Sequence, residues 1–162
     1  MKRVQEDLRY DGATVEQVYA MLGTKEFREA VCDHQRVLHR TVTVEENGAA
    51  RRVTIDQGHG TDRLPGFAKK IVGGHINIVQ SESWTGGGNG QITVTVPGKP
   101  GEMTGTAILV PEDGGVTEKV DMTVKVNLPL IGGKVEALIA DMLRKALDSE
   151  HTVGKEWLAG KR

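Results

Sequence analysis

The 162-residue sequence predicts an α+β fold: a curved seven-stranded antiparallel sheet wrapped around one long C-terminal helix, with two short helices after the first strand. Three observations predict it. Residues 134–159 contain no proline and one internal glycine, Gly154. Within them Val135, Leu138, Ile139, Met142, Leu143, Ala146, Val153 and Trp157 recur at three- and four-residue steps, so they share one side of a helix. A helix over residues 133–159 would be about 40 Å long, more than closing a small core requires. Before it, polar and apolar residues alternate in short runs broken by turn sequences, the pattern of strands joined as hairpins.

In chain order, residues 4–10 alternate as a strand whose one face holds Val4, Leu8 and Tyr10, with Glu6 among them. Thr14 and Gln17 have the spacing of a capping box and open a short helix striped by Val15, Val18 and Leu22. Gly23 ends it, and Thr24 opens a second helix carrying Phe27, Ala30 and Val31. Residues 37–45, 51–57, 75–84, 91–96, 103–110 and 116–126 are rich in β-branched side chains and alternate as six further strands. Most are separated by residues that tolerate positive φ or fix φ: Asn47-Gly48, the glycine-rich run 86–90, Pro97-Gly98-Lys99-Pro100-Gly101 and Asp113-Gly114-Gly115. Residues 58–74 are the exception. There Pro65 suits a first helical turn and Phe67 sits four residues before Ile71, so a short amphipathic helix is expected. A connection of that length serves either as a lid over a binding site or as cover for a sheet edge. Pro129 ends the last strand, and Gly132-Gly133 are expected to permit the sharp turn into the long helix.

Composition excludes several classes. With 21 basic against 22 acidic residues the formal net charge is -1, and the longest basic runs are Arg51-Arg52 and Lys69-Lys70, so no nucleic-acid partner is expected. A single cysteine, Cys32, rules out an intramolecular disulfide and reads as a small buried apolar residue in a helix. No signal-like N-terminus and no stretch of 18 apolar residues occurs, so a cytoplasmic protein without an integral membrane segment is expected. The five histidines (His34, His39, His59, His75, His151) form no metal-ligand pattern, and neither glycine run has the spacing of a phosphate loop, so no metal and no cofactor is expected. No repeat or linker divides residues 1–162, which reads as one domain, a monomer or dimer.

The whole pattern resembles the SRPBCC superfamily of helix-grip folds, which includes START lipid-transfer domains, birch-pollen-allergen-like proteins and polyketide cyclases, and within it an actinobacterial branch of unknown function. The residues that carry the resemblance are Trp84, the Pro97–Gly101 turn, Leu128-Pro129-Leu130-Ile131-Gly132-Gly133-Lys134-Val135-Glu136, and Glu150 spaced before Trp157-Leu158. It implies an apolar cavity between the sheet and the long helix. An interior with two Phe, two Tyr and two Trp is consistent with such a void, because small side chains leave space unfilled. The expected lining is Ile76, Ile78, Trp84, Val94, Met122, Val124, Met142, Glu150 and Trp157, with residues 58–74 at the mouth.

Four acids read as inward. Glu6, Glu82 and Glu118 share faces with apolar strand residues, and an unpaired buried carboxylate is costly. For these three, a position at the rim or an Arg or His partner is the plainer alternative. On the wheel of the long helix, Glu150 falls between Ile139 and Trp157 on one side and Leu143 on the other, within the apolar stripe. It is the candidate catalytic or ligand-anchoring residue, and Arg63, His59 and Lys69 are the cations expected to compensate it. Two functions are open. One is a carrier or sensor of an apolar or amphipathic small molecule, lipid-like or polycyclic, whose polar end Glu150 holds. The other is a cyclase-, dehydratase- or isomerase-type enzyme in which a buried Glu acts as general acid or base. A protein-partner module using the outer sheet face is a third and weaker alternative.

Overall fold

A computed structural model describes residues 1–161. Its strands are β1 (Lys2–Asp11), β2 (His39–Asn47), β3 (Ala50–Gly60), β4 (His75–Thr85), β5 (Asn89–Thr95), β6 (Glu102–Glu112) and β7 (Gly115–Lys125). The helices are α1 (Val15–Leu22), α2 (Lys25–His34), α3 (Gly66–Val72) and α4 (Gly132–Leu158). All seven strands form one antiparallel sheet in the order β1-β7-β6-β5-β4-β3-β2, so every neighbouring pair but β1–β7 is consecutive in sequence. The meander expected from the turn sequences is therefore present, with strand ends shifted by at most three residues.

Local chemistry explains where the helices start. Thr14 Oγ1 accepts from the Gln17 amide (3.1 Å) while the Gln17 side chain accepts from the Thr14 amide (2.9 Å), the reciprocal capping box. Thr24 is the N-cap of α2, although its hydroxyl donates back to the Ala20 carbonyl (2.8 Å) instead of capping. Pro65 stands at the N-cap of α3, one position earlier than expected.

The turn into α4 differs from the expectation. Gly132 and Gly133 do not take positive φ; the left-handed residue is Leu130, at φ 69°. Gly132 serves close approach instead, since a Cβ there would lie 2.7 Å from the Val126 carbonyl oxygen. Glu136, one turn into the helix, accepts the Val126 amide proton at 2.9 Å and pins this end of α4 to the end of β7.

The main core lies between the sheet and α1, α2 and α4, around Val4, Leu22, Phe27, Trp84, Val116 and Val124. A smaller cluster of Cys32, Val42, Val53 and Ile55 fills the space between α2 and the β2–β3 edge. Cys32 is buried there as read from sequence, and burial pushes its thiol pKa up to about 11. No helix among the described residues is long and apolar enough to cross a membrane.

Candidate functional site

The two halves of α4 meet the sheet differently. From Leu138 to Ala146 the helix stands off, and a cavity of about 120 Å³ opens beneath it. Ile76, Ile78, Val94, Val96 and Met103 form its sheet wall, Leu138, Ile139, Met142, Leu143 and Ala146 its helix wall. Helix α3 closes one side through Ala68, Ile71 and Val72, with Leu64 from the segment just before it, and Lys99-Pro100 of the β5–β6 turn border it. The segment 58–74, expected as a lid or as cover for a sheet edge, is thus part of the wall. It is held by the Thr61 hydroxyl, which donates to the Gly73 carbonyl (2.8 Å), and by Lys134 Nζ, 4.7 Å from the Phe67 ring centroid.

A second, inner cavity of about 70 Å³ adjoins the first. Gln35, Gln57, Gln80, Val94, Leu143 and Ala146 line both, so the two are chambers of one cleft. The inner chamber changes character at its floor, which is made by Arg28, Gln80 and Glu150 together with Met122 and Val120.

That floor is built on α2, the sheet and α4. Arg28 sits one turn into α2 and is 3% exposed. Its Nε donates to the Leu22 carbonyl (2.7 Å), one of the acceptors left open where α1 ends. Its Nη1 and Nη2 donate to both oxygens of Glu82 on β4, at 3.1 and 2.7 Å, a bidentate pair. The indole N–H of Trp84 adds a hydrogen bond to Glu82 (2.8 Å), and the Gln80 amide donates to the other oxygen. Glu82 is therefore fully engaged.

Glu150 is not. Its one ionic contact is Arg28 Nη1 at 3.6 Å, and among the described residues no side chain hydrogen-bonds to it. Its side chain is 11% exposed, and Glu150 lines the inner chamber. Burial raises its pKa to about 7, against the lowering influence of Arg28, and Glu82 raises it further. Behind it stand two groups with no hydrogen-bond partner among the described residues: Glu118 Oε1 on β7 and the Tyr10 hydroxyl on β1. Burial, and then the charges of Glu150 and Glu82, hold the Glu118 pKa well above the usual carboxylate range. The Tyr10 pKa is raised for the same first reason, with Glu150 and Glu118 adding to it. For Arg28, burial opposes the charge while Glu82, Glu150 and Glu118 favour it, and the pKa is raised. One guanidinium thus faces three carboxyl groups, and only Glu82 takes hydrogen bonds from it.

Of the residues expected to line the site, Ile76, Ile78 and Met142 are in the outer chamber, Met122 and Glu150 in the inner, and Val94 in both. Trp84, Val124 and Trp157 are elsewhere. Trp84 is buried under α1 against Tyr19 and serves the floor only through Glu82, Val124 is solid core, and Trp157 packs edge-on against Phe27 with centroids 5.6 Å apart. Glu6 is half-buried at the β1 face, 3.6 Å from Arg144. The compensating cation is also different from the three expected. Arg63 and Lys69 line neither chamber, and His59 lines the outer one, where burial lowers its pKa. Arg28 supplies the charge beside Glu150. A signal for Arg28 existed. On the α2 wheel it falls between Val31 and Cys32, so counting Cys32 as apolar places Arg28 inside the buried arc.

Comparison with known proteins agrees with this geometry. A family model described as "Protein of unknown function (DUF2505)" matches residues 6–158. The chain is 29% identical over 119 residues to Uncharacterized protein Rv0481c of Mycobacterium tuberculosis, covering 70% of this chain and 68% of that one. Among solved structures it is similar to the di-domain ARO/CYC StfQ from the steffimycin biosynthetic pathway, with TM-score 0.63 and 17% identity over 98% of this chain and 52% of that one. It is likewise similar to a START superfamily protein from Mycobacterium smegmatis, with TM-score 0.59 and 13% identity over 96% and 98% of the two chains. At these identities the likeness is one of fold, and the fold is the helix grip.

Proposed function

The chain belongs to the DUF2505 family, and on that premise we propose that it binds an apolar or amphipathic small molecule in the cleft between the sheet and α4, as a carrier or sensor. The observation that carries this reading is the two-chamber cleft itself: a wall of Ile, Val, Leu and Met side chains ending on one charged floor. Such a site gives affinity through apolar burial and orientation through a few polar atoms. The named neighbours, a START superfamily protein and an ARO/CYC di-domain, are of a kind with that reading. The setting proposed is the cytoplasm, where a lone buried thiol such as Cys32 stays reduced.

Volume limits the ligand. The outer chamber, at about 120 Å³, is of the order of a cavity that takes up one benzene-sized ring. A polycyclic or long-chain ligand requires the α3 segment to shift outward.

A second reading is acid–base catalysis by Glu150, favoured by its pKa of about 7 at the cleft wall. Binding is preferred because no second catalytic group hydrogen-bonds Glu150 among the described residues: the Tyr10 hydroxyl makes no hydrogen bond, and His151 is spent on the Arg9 carbonyl at 2.7 Å.

The test is a plug. Ala146 lines both chambers, so Ala146→Phe should keep the fold and abolish binding of an apolar fluorophore that wild type takes up. Native mass spectrometry of the purified protein should show a co-purified small molecule that the plugged variant lacks. Failure of wild type to bind the fluorophore, or equal binding by Ala146→Phe, would refute the cleft as a binding site.

A further inference from the structure

We propose that the ligand enters the cleft with a hydrogen-bond-donating, non-anionic polar end foremost, a hydroxyl or a protonated amine, and that carboxylate-headed amphiphiles are rejected. This deepens the binding reading and rests on it. The donors and acceptors at the floor decide the matter.

An anionic head needs a free cation or a set of free donors at the end of the cleft. Among the described residues Arg28 is the only cation lining the inner chamber, and it is already committed. Its Nε is held by the Leu22 carbonyl, and one hydrogen on each terminal nitrogen goes to Glu82. Nη1 also lies 3.6 Å from Glu150, so of the five guanidinium N–H groups a single one, on Nη2, is without an acceptor among the described residues. Three carboxyl groups surround that single charge, so an incoming carboxylate would meet like charge and would have to displace Glu82 from a bidentate, buried pair. The cost falls on a buried, low-dielectric floor, where it is largest.

A donor meets the opposite situation. Glu150 is nine-tenths buried, accepts no hydrogen bond from the described residues, and lines the inner chamber. A buried acceptor without a donor is destabilising. A ligand hydroxyl or ammonium placed there satisfies Glu150 without disturbing the Arg28–Glu82 pair. The ammonium also balances the excess of carboxyl over guanidinium. Gln80 commits one of its two amide N–H groups to Glu82, and the other, like the amides of Gln35 and Gln57 that also line the inner chamber, is a neutral donor that brings no positive charge against the three carboxyl groups. One alternative orientation exists on the same cleft. Lys99 borders the outer chamber, so an acid could lie tail-inward with its head at the mouth.

The experiment compares three probes of one shape, 4-butylbenzylamine, 4-butylbenzyl alcohol and 4-butylbenzoate, by calorimetric titration at pH 8 with the full chain. The expected result is binding of amine and alcohol at least about tenfold tighter than the acid, a difference of about 1.4 kcal/mol. Glu150→Gln, which keeps shape and removes the charge, should bring the amine down to the alcohol and relax the rejection of the acid. Should that variant misfold, the wild-type ranking still decides. Tightest binding by the benzoate overturns the inference and leaves the binding reading intact. If that binding is lost in Lys99→Ala, the ligand sits head-outward. Binding of none of the three, together with failure of the apolar fluorophore, overturns both.

Discussion

The two ends of α4 do opposite things with the same apolar stripe. Near its C-terminus the packing is closed. A Cβ on Gly154 would lie 2.7 Å from the Tyr10 hydroxyl, and Val153 is buried against the sheet. In its first half Leu138, Ile139, Met142, Leu143 and Ala146 are only half-buried, because they face a void rather than a partner. Glu150 stands where one regime becomes the other. A continuous stripe on a helix is therefore not the same thing as a continuous core. A twisted sheet meets a straight 27-residue helix closely over only part of its length, and the remainder is where a ligand can be held.

The largest effect expected is at the closed end's charge cluster. Arg28→Leu leaves Glu82, Glu118 and Glu150 without a cation. Removing one partner from a buried ion pair typically destabilises by about 3–5 kcal/mol. Urea denaturation at pH 8 should show a loss of that size, partly recovered at pH 5.5 as carboxyls protonate. A loss under about 1 kcal/mol at pH 8 would mean that the cluster is solvated.

Next in size is the pH dependence of wild type. In the unfolded chain Glu150 titrates near 4.5, and in the folded protein near 7. Between those values the folded state keeps a proton that the unfolded state has lost, so stability falls as pH rises through the window and levels off above it. The shift corresponds to on the order of 3 kcal/mol. Glu118, whose pKa is also raised, acts in the same direction. Denaturation midpoints should therefore be lower at pH 8 than at pH 5, and Glu150→Gln should flatten the curve. A midpoint that rises from pH 5 to pH 8 would contradict the burial of both groups.

A smaller effect separates the two packing regimes directly. Gly154→Ala gains about 1 kcal/mol of helix propensity but must push Tyr10 aside, and overpacking of a filled core costs about 1–3 kcal/mol. A net loss of roughly 1 kcal/mol in urea is expected. Ala146→Leu, eight residues earlier, adds more volume yet enters the void, so its stability should change by less than about 0.5 kcal/mol while fluorophore binding drops. Equal losses for the two variants would show that the chambers close in solution.

Local sequence settles most of the architecture. The alternation of 75–84 and 116–126, the turn residues between strands and the stripe from Val135 to Trp157 are short-range patterns, and backbone geometry converts them into strands, hairpins and one long helix with little choice. Those patterns placed Glu6, Glu82, Glu118 and Glu150 on inward faces; the last three are buried, while Glu6 is half-buried beside Arg144. The pairing of the inward charges and the point where the core stops are instead products of tertiary packing. Arg28 reaches Glu82 across 54 positions of sequence, through the way α2 packs against α4 and β2, and no periodicity encodes that packing. Trp84 and Trp157 carry the same inward signal as Met142 and Val94, yet they meet Tyr19 and Phe27 while Met142 and Val94 meet empty space. A side chain's direction follows from its place in its own element; what it touches follows from the elements opposite, and whether these fill the space is a property of the whole fold.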